Sequence, residues 1–215
     1  MKPPIVALLL SFSAIFLAPP TISAQTTTFS NSTPIIINDG DAATPYPSDI
    51  LVSGLGPVEK VTVTLSGLNH TFPDDIDILL VGPQGQNLII FSDVGGGPDL
   101  SGMSYIITLD DAAPLNVPDT GTLVSGTFKP TNIGAGDPFG PPAPAPSTAT
   151  TLSVFNGTDP NGTWSLFVLD DAAQDDGSIS GGWSLSITAV PEPSTAILFG
   201  AGFVALGVWH CLRRR

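Results

Sequence analysis

The sequence IDILLVGPQGQNLIIF, residues 76–91, decides the fold class. Two short apolar runs, 76–81 and 88–91, flank a Gly-Pro-Gln-Gly sequence at 82–85. Isoleucine, leucine and valine dominate both runs, and glycine and proline favour a tight turn between them. The pattern therefore predicts two neighbouring strands joined by a hairpin turn.

The same kind of run recurs along the chain. In residues 61–65 valine and leucine alternate with threonine, and in residues 183–187 apolar side chains alternate with serine. A period of two is typical of a strand with one buried and one solvent-facing side. Because no useful helical periodicity is present, we predict an all-β, two-sheet sandwich with Trp164 and Trp183 in its core. The predicted strands are 35–37, 50–52, 58–65, 76–81, 88–91, 105–109, 122–128, 152–155, 164–169 and 183–187.

The charge balance excludes several classes of partner. The net charge is −13, and residues 25–190 hold two lysines against 18 acidic residues, which gives this part −16. Such a surface repels phosphate groups and anionic lipid headgroups, so nucleic acid is excluded as a partner. The single cysteine, Cys211, lies near the C-terminus, and no disulfide within the chain is expected. Cations are the ionic partners that this domain would attract.

Residues 1–24 have the pattern of a secretory signal peptide. Lys2 precedes an apolar run at 5–18, and the segment ends on a small residue, Ala24. We predict cleavage after Ala24 and export of the rest of the chain.

The C-terminal segment, residues 191–215, combines three features. A Pro-Glu-Pro triplet precedes an apolar stretch, and three arginines end the chain. An apolar stretch of about 17 residues is at the short limit for a transmembrane helix, and terminal arginines stay on the cytoplasmic side. A plain C-terminal membrane anchor would have the same topology. The residues of the two motifs are Pro191, Glu192 and Pro193, and Arg213, Arg214 and Arg215.

This order of triplet, apolar helix and basic end resembles the PEP-CTERM sorting signal of Gram-negative bacteria. The resemblance implies recognition by an exosortase-type processing enzyme, cleavage near the triplet, and release or surface attachment, often alongside exopolysaccharide. We therefore expect an exported protein of the outer envelope or extracellular space. The C-terminal helix would anchor it in the inner membrane, either before processing or permanently.

Residues 25–190 form one predicted domain. Its stretches 68–71 (LNHT), 75–85 (DIDILLVGPQG), 92–97 (SDVGGG) and 161–185 resemble, in this order, the P domain (P/Homo B) of proprotein convertases and many secreted bacterial proteins. The resemblance implies a jelly-roll β-sandwich that usually accompanies a subtilisin-like protease. Too few residues precede Phe29 to hold a protease domain, so proteolytic activity is not expected. Residues 132–151, rich in glycine, proline and alanine, are predicted to be an extended surface excursion of the same domain.

Acidic side chains follow several predicted strands. The sequence Leu-Asp-Asp-Ala-Ala occurs at 109–113 and at 169–173, and two strands ending in this way could place four carboxylates on one rim. Asp77 alternates with two isoleucines and should point away from the core on which they pack. Calcium takes six to eight oxygen ligands, so Ca²⁺ is a candidate cofactor; alternatively, these aspartates form turns with their own backbone. The candidate ligands are Asp75, Asp77, Asp110, Asp170 and Asp176.

Enzymatic motifs are weak in this sequence. His70 is the one histidine of residues 25–190, and Asp119 begins a single Asp-Thr-Gly-Thr motif, of which aspartic proteases need two. We interpret both residues as structural and predict that the protein is not an enzyme. The expected function is structural or adhesive, in the envelope or in an exopolysaccharide matrix, with exopolysaccharide or envelope proteins as partners. The alternatives are an accessory domain that stabilises a separately encoded protease, and a calcium-dependent extracellular hydrolase.

Overall fold

The computed structural model describes residues 23–134 and 136–190, which form twelve strands in two sheets. The all-β prediction is confirmed. Sheet A contains β1 (Gln25–Asn31), β2 (Ile35–Ile37), β4 (Val58–His70), β7 (Tyr105–Leu109), β8 (Gly126–Phe128), β11 (Gly177–Ile179) and β12 (Trp183–Ala189). Sheet B contains β3 (Ser48–Val52), β5 (Ile76–Val81), β6 (Asn87–Ser92), β9 (Thr131–Asn132) and β10 (Gly162–Asp170).

The long strand β4 organises sheet A. It pairs with β12 through residues 58–65, with β11 through residues 68–70, and with β7, which in turn pairs with β8. The first strand, β1, pairs with the last, β12, so that Gln25 lies opposite Ala189. Sheet B has the order β3–β10–β5–β6–β9. All pairs are antiparallel except β6–β9 and β7–β8.

The main core lies between the inner faces of the two sheets. Alternate residues of each strand face inward, as the period of two in the sequence predicts. Trp164 and Trp183 are buried, and their indole N–H groups donate to the Pro160 carbonyl at 2.9 Å and to Ser48 Oγ at 3.0 Å. Core side chains include Val61, Val63, Leu65, Leu185 and Ile187 from sheet A, and Ile76, Ile78, Leu80, Leu166 and Val168 from sheet B.

The predicted strand at 152–155 is wrong. Leu152–Phe155 is a short 3₁₀ helix, and the Asp111 carboxylate accepts hydrogen bonds from the N–H groups of Leu152 (2.8 Å) and Ser153 (2.9 Å). A carboxylate at the start of a helix satisfies N–H groups that have no partner within the helix. Because this partner lies about forty residues earlier, the local apolar run could not reveal it.

Residues 136–149, which we call the cover segment, pack on the outer face of sheet B. Phe139 joins Leu79, Ile89, Phe167 and Leu169 in a second, smaller apolar cluster. The sequence predicts a surface excursion here. In the structure this stretch covers the outer face of sheet B and contributes Phe139 to the second cluster. Apolar side chains on both faces of β5, β6 and β10 are the physical reason, since the outer face must also be covered.

The signal peptide and the sorting segment fall almost entirely outside the described residues. The predicted transmembrane helix at the C-terminus is among the residues that are not described. Within 23–134 and 136–190, no helix is long and apolar enough to cross a membrane.

Candidate metal centre

Asp77 lies in the middle of sheet B on the face that the cover segment closes. As its place in the sequence predicts, it points away from Ile76 and Ile78, which pack in the main core. It is nevertheless only 1% exposed, because the outer face of the sheet is covered. Neither of its carboxylate oxygens accepts a hydrogen bond from any described residue. A buried charged group without a partner is unusual in a native protein.

Asp93 follows β6 directly and reaches the same place. Its backbone has a φ of +52°, a left-handed conformation that turns the chain at the end of the strand. The buried Ser92 hydroxyl lies 3.5 Å from Asp93 Oδ2, and Gly134 passes so close that a Cβ atom there would lie 3.3 Å from Oδ2. Gly134 has a φ of +83°, so both its shape and its backbone suit this approach.

Asp137, at the beginning of the cover segment, completes a group of three carboxylates. One oxygen from each of Asp77, Asp93 and Asp137 lies within 4.8 Å of the other two. Asp137 is half-buried, and its Oδ2 is buried without a hydrogen-bond partner among the described residues. We call these three residues the acidic trio.

Burial and mutual repulsion raise the pKa values of Asp77 and Asp93 in the acidic trio. Burial, together with the charges of Asp137, Asp171 and Asp93, raises the pKa of Asp77 to about 7 and outweighs the effect of the neighbouring Ser92 hydroxyl. Burial and the charge of Asp137 also raise the pKa of Asp93 above its usual value. Both shifts have the sign expected when carboxylates are desolvated next to one another.

A second polar group surrounds His70, the last residue of β4. Its Nε2 lies 3.2 Å from Asp170 Oδ2, and both side chains are fully buried. Its Nδ1 lies 2.8 Å from the Phe72 carbonyl oxygen and 3.2 Å from the Phe72 nitrogen. Burial raises the pKa of Asp170, although the Ala172 N–H and His70 act in the opposite direction. His70 thus ends a strand and is enclosed by protein atoms.

Asp75 lies beside the Asp170–Asp171 pair, and its carbonyl oxygen accepts a hydrogen bond from the Asp171 N–H at 3.0 Å. Burial and the charges of Asp170, Asp171 and Asp175 raise the pKa of Asp75 to about 6. Of the five candidate ligands from the sequence, Asp75 and Asp170 are therefore neighbours, whereas Asp77 belongs to the acidic trio. Asp176 is exposed beside β11, where its N–H donates to Thr71 Oγ1 at 3.0 Å.

The two Leu-Asp-Asp-Ala-Ala sequences do not form one rim, so that expectation is wrong. Asp110 forms an ion pair of 2.8 Å with Lys60 near the start of β4, and Asp170 contacts His70 at its end. At about 3.3 Å per residue, these points are on the order of 30 Å apart. Both aspartates instead make the same local turn, accepting from Ala112 at 2.9 Å and from Ala172 at 3.0 Å.

Asp93 and Asp137 were not among the ligands predicted from the sequence. Asp93 lies in the 92–97 stretch that resembles a P domain, and Asp137 is the one acidic residue of the stretch 132–151. The signal for Asp137 was a single carboxylate in a nearly chargeless, proline-rich segment. This signal does not identify a ligand by itself, because nothing in the sequence shows that the segment folds back over β5.

The comparisons with known proteins concern the two parts of the chain separately. Residues 189–215 match the PEP-CTERM protein-sorting motif. The chain therefore ends in this sorting motif, which indicates export, processing by an exosortase-type system, and a location at the cell surface or outside the cell. No curated protein matches the chain.

Two solved structures are similar to the sandwich. One is the complex of the Aeromonas sobria serine protease with a chaperone, at 18% identity and a TM-score of 0.41, covering 80% of this chain and 27% of that chain. The other is the Aeromonas sobria serine protease, at 16% identity and a TM-score of 0.37, covering 81% and 28%. The chain thus spans about a quarter of the length of the solved structures it matches.

Proposed function

We propose that the chain is an exported, non-catalytic β-sandwich module with a structural or adhesive function at the cell surface. The observation that carries this proposal is the position of the sorting motif, which begins at Ala189, the last residue of β12. The sandwich is then the domain that the sorting system exports. On the sequence motifs at 68–97 and 161–185, we further propose that the sandwich is a P domain of the jelly-roll type.

The environment of His70 supports a non-catalytic function. Its side chain is fully buried, and both ring nitrogens lie within 3.2 Å of protein atoms. A general base must come within hydrogen-bond distance of a substrate proton, which an enclosed imidazole does not do. Asp119, the other residue with a catalytic sequence pattern, lies in an exposed bend.

The outer face of sheet A supports an adhesive function. Hydroxyl side chains of adjacent strands align in register there, and several pairs hydrogen-bond, such as Thr28 with Ser186 at 2.8 Å and Thr64 with Thr108 at 3.0 Å. Eight such residues form two rows, which we call the hydroxyl face. One row is Ser30, Ser184, Thr64, Thr108 and Thr127, and the other is Thr28, Ser186 and Thr62.

The chemistry of the hydroxyl face suits a neutral, polyhydroxylated polymer. Strands lie about 4.8 Å apart and alternate residues about 6.8 Å apart, so the hydroxyls form a regular array of donors and acceptors. The two rows contain no charged residue, although the domain carries −16. Anionic polymers would be repelled by that charge. We therefore assign a neutral exopolysaccharide as the ligand of this face.

Export and processing are tested by replacing Pro191, Glu192 and Pro193 with alanine. We expect the wild-type chain in the outer envelope or the medium, with a C-terminus near residue 191. The variant should remain in the inner membrane with Arg215 intact. Cell fractionation with mass spectrometry of the C-terminus measures both, and a wild-type chain that keeps Arg215 in the inner membrane would contradict the proposal.

Adhesion is tested by placing a carboxylate on the hydroxyl face. Thr28→Glu should weaken binding of the full-length protein to neutral exopolysaccharide, purified from the producing bacterium, by about fivefold or more, because the face becomes charged and loses a hydroxyl. Thr120→Glu, in an exposed bend, is the matched control and should bind as wild type does. Equal binding of the two variants, or no binding by the wild type, would reject this ligand.

A further inference from the structure

Two members of the acidic trio have buried carboxylate oxygens that lack hydrogen-bond partners among the described residues. Both oxygens of Asp77 and one oxygen of Asp137 are buried without a hydrogen bond from the described residues. Asp77 itself is 1% exposed, so water does not solvate it freely. Removing a carboxylate from water without replacing its hydrogen bonds is unfavourable. The fold therefore holds a buried carboxyl group that points into the trio and has no hydrogen-bond partner among the described residues.

Mutual repulsion makes the arrangement less favourable still. Three carboxylate oxygens within 4.8 Å of one another repel when all are charged, and burial of Asp77 strengthens this repulsion. Residues 25–190 contain two lysines and no arginine to compensate them. One of these, Lys60, is paired with Asp110. No ion pair among the described residues involves the acidic trio, so a proton or a cation from outside the chain would have to neutralise it.

We propose that Asp77, Asp93 and Asp137 bind a calcium ion. Two oxygens that each lie about 2.4 Å from one Ca²⁺ can be at most about 4.8 Å apart, and one oxygen from each of the three carboxylates lies within this limit of the other two. Carboxylates are hard oxygen ligands that suit this hard cation, and backbone carbonyls or water complete its coordination. Extracellular calcium is abundant enough for such a site, whose typical dissociation constants are about 0.1 to 1 mM.

The ion has a structural task that follows from the elements it joins. Asp77 belongs to β5, Asp93 follows β6, and Asp137 begins the cover segment. The far end of this segment is already held without charge, because Ser147 N–H donates to Asn87 Oδ1 at 2.7 Å and Asn87 Nδ2 donates to the Ala145 carbonyl at 3.3 Å. Calcium fastens the near end, so both ends are fixed to sheet B.

The other acidic group does not offer an equivalent site. Asp170 Oδ1 accepts from the Ala172 N–H, and Asp170 Oδ2 faces His70. Asp110 is paired with Lys60. Asp170 Oδ2 has no hydrogen bond among the described residues, but a histidine ring nitrogen lies 3.2 Å from it, whereas Asp77 forms neither a hydrogen bond nor an ion pair with any described residue.

Thermal unfolding of the full-length protein in nonionic detergent tests the site, with CaCl₂ as the probe. About 10 mM CaCl₂ should raise the Tm of the wild type by about 4 °C over a chelator-treated sample, given a dissociation constant of about 1 mM. NaCl of matched ionic strength should raise it less. Asp77→Asn should lose the calcium response, and with chelator its Tm should equal or exceed that of the wild type, because the repulsion is relieved.

Two further measurements make the test decisive. Asp176→Asn, which removes an exposed carboxylate, is the matched control and should keep the full calcium response. Calcium should also slow proteolytic cleavage within residues 136–149 at least fivefold in the wild type and not in Asp77→Asn. The proposal fails if the wild type responds to calcium no more than to NaCl, if Asp77→Asn responds as fully as the wild type, or if cleavage is unchanged.

Discussion

Single aspartates illustrate what a sequence can reveal about a site. Asp77 could be predicted as a ligand that points away from the core, because its neighbours in the strand are isoleucines. Asp110 and Asp170 share a pentapeptide, and both form the turn that this pentapeptide favours. The grouping of Asp77 with Asp93 and Asp137 could not be predicted, since it depends on contacts between segments up to sixty residues apart.

At the residue scale, Asp111→Ala should lower the free energy of unfolding by about 1 to 2 kcal/mol. The substitution leaves the N–H groups of Leu152 and Ser153 without their acceptor at the start of the 3₁₀ helix. Urea denaturation measures the change. Asp119→Ala, in an exposed bend, should change it by less than about 0.5 kcal/mol. A loss of the same size in both variants would show that the cap contributes little.

At the scale of strands, apolar periodicity correctly predicted where strands form, but its absence did not show that a segment lacks a strand. The predictions for 76–81 and 105–109 coincide with β5 and β7. By contrast, β1 and β11 were missed, because their sequences QTTTFSN and GSI contain few apolar residues. These strands form because neighbouring strands hydrogen-bond to them: β1 pairs with β12, and β11 pairs with both β4 and β2. Such partners lie far away in sequence.

Strand β11 also requires close backbone contact. A Cβ atom on Gly177 would overlap the carbonyl oxygen of Asn69 and crowd His70. Gly177→Ala should therefore destabilise the protein by about 2 kcal/mol or more, since backbone atoms cannot move aside as side chains do. Gly140→Ala is the control, because its Cβ would meet no atom within 4 Å. Equal Tm values for the two variants would contradict this view of the β4–β11 pair.

The cover segment depends on one aromatic anchor. Phe139→Ala should lower the free energy of unfolding by about 2 kcal/mol, less than a fully enclosed phenylalanine would, because Phe139 remains 9% exposed. The variant should also be cleaved faster within residues 136–149 while the far-ultraviolet circular dichroism of the sandwich is kept. Leu115→Ala, at a position that is 65% exposed, should show neither effect. Unchanged cleavage in Phe139→Ala would show that the anchor lies elsewhere.

At the scale of the whole molecule, the dominant feature is the excess of negative charge on the exported domain. The sequence predicted this excess and its exclusion of nucleic acid. It could not predict that three carboxylates, of which Asp77 is buried and Asp93 and Asp137 are half-buried, come within 4.8 Å of one another. Salt screens charges that are more than about 10 Å apart at 0.1 M, and it acts weakly on groups that are buried and close.

A comparison of sodium and calcium separates these two contributions. In chelator, raising NaCl from about 20 to 300 mM should raise the Tm by about 2 to 4 °C, because the distributed repulsion of the domain is screened. Calcium added at the higher NaCl concentration should still raise it further, since it acts inside the trio. Differential scanning calorimetry measures both. A Tm that falls as NaCl rises would mean that the excess charge does not limit stability.

The pairing of β1 with β12 brings the two ends of the sandwich together, so that the domain could be inserted into another protein. Gln25 lies opposite Ala189, and paired residues of antiparallel strands have Cα atoms about 5 Å apart. The chain thus enters and leaves the fold at one corner. A loop of a host protein with so small a gap could accept the whole sandwich as an insertion, with both junctions side by side. In the sequence, the cleavage predicted after Ala24 directly precedes Gln25, and the sorting triplet begins two residues after Ala189, so both processing positions adjoin the paired ends of β1 and β12.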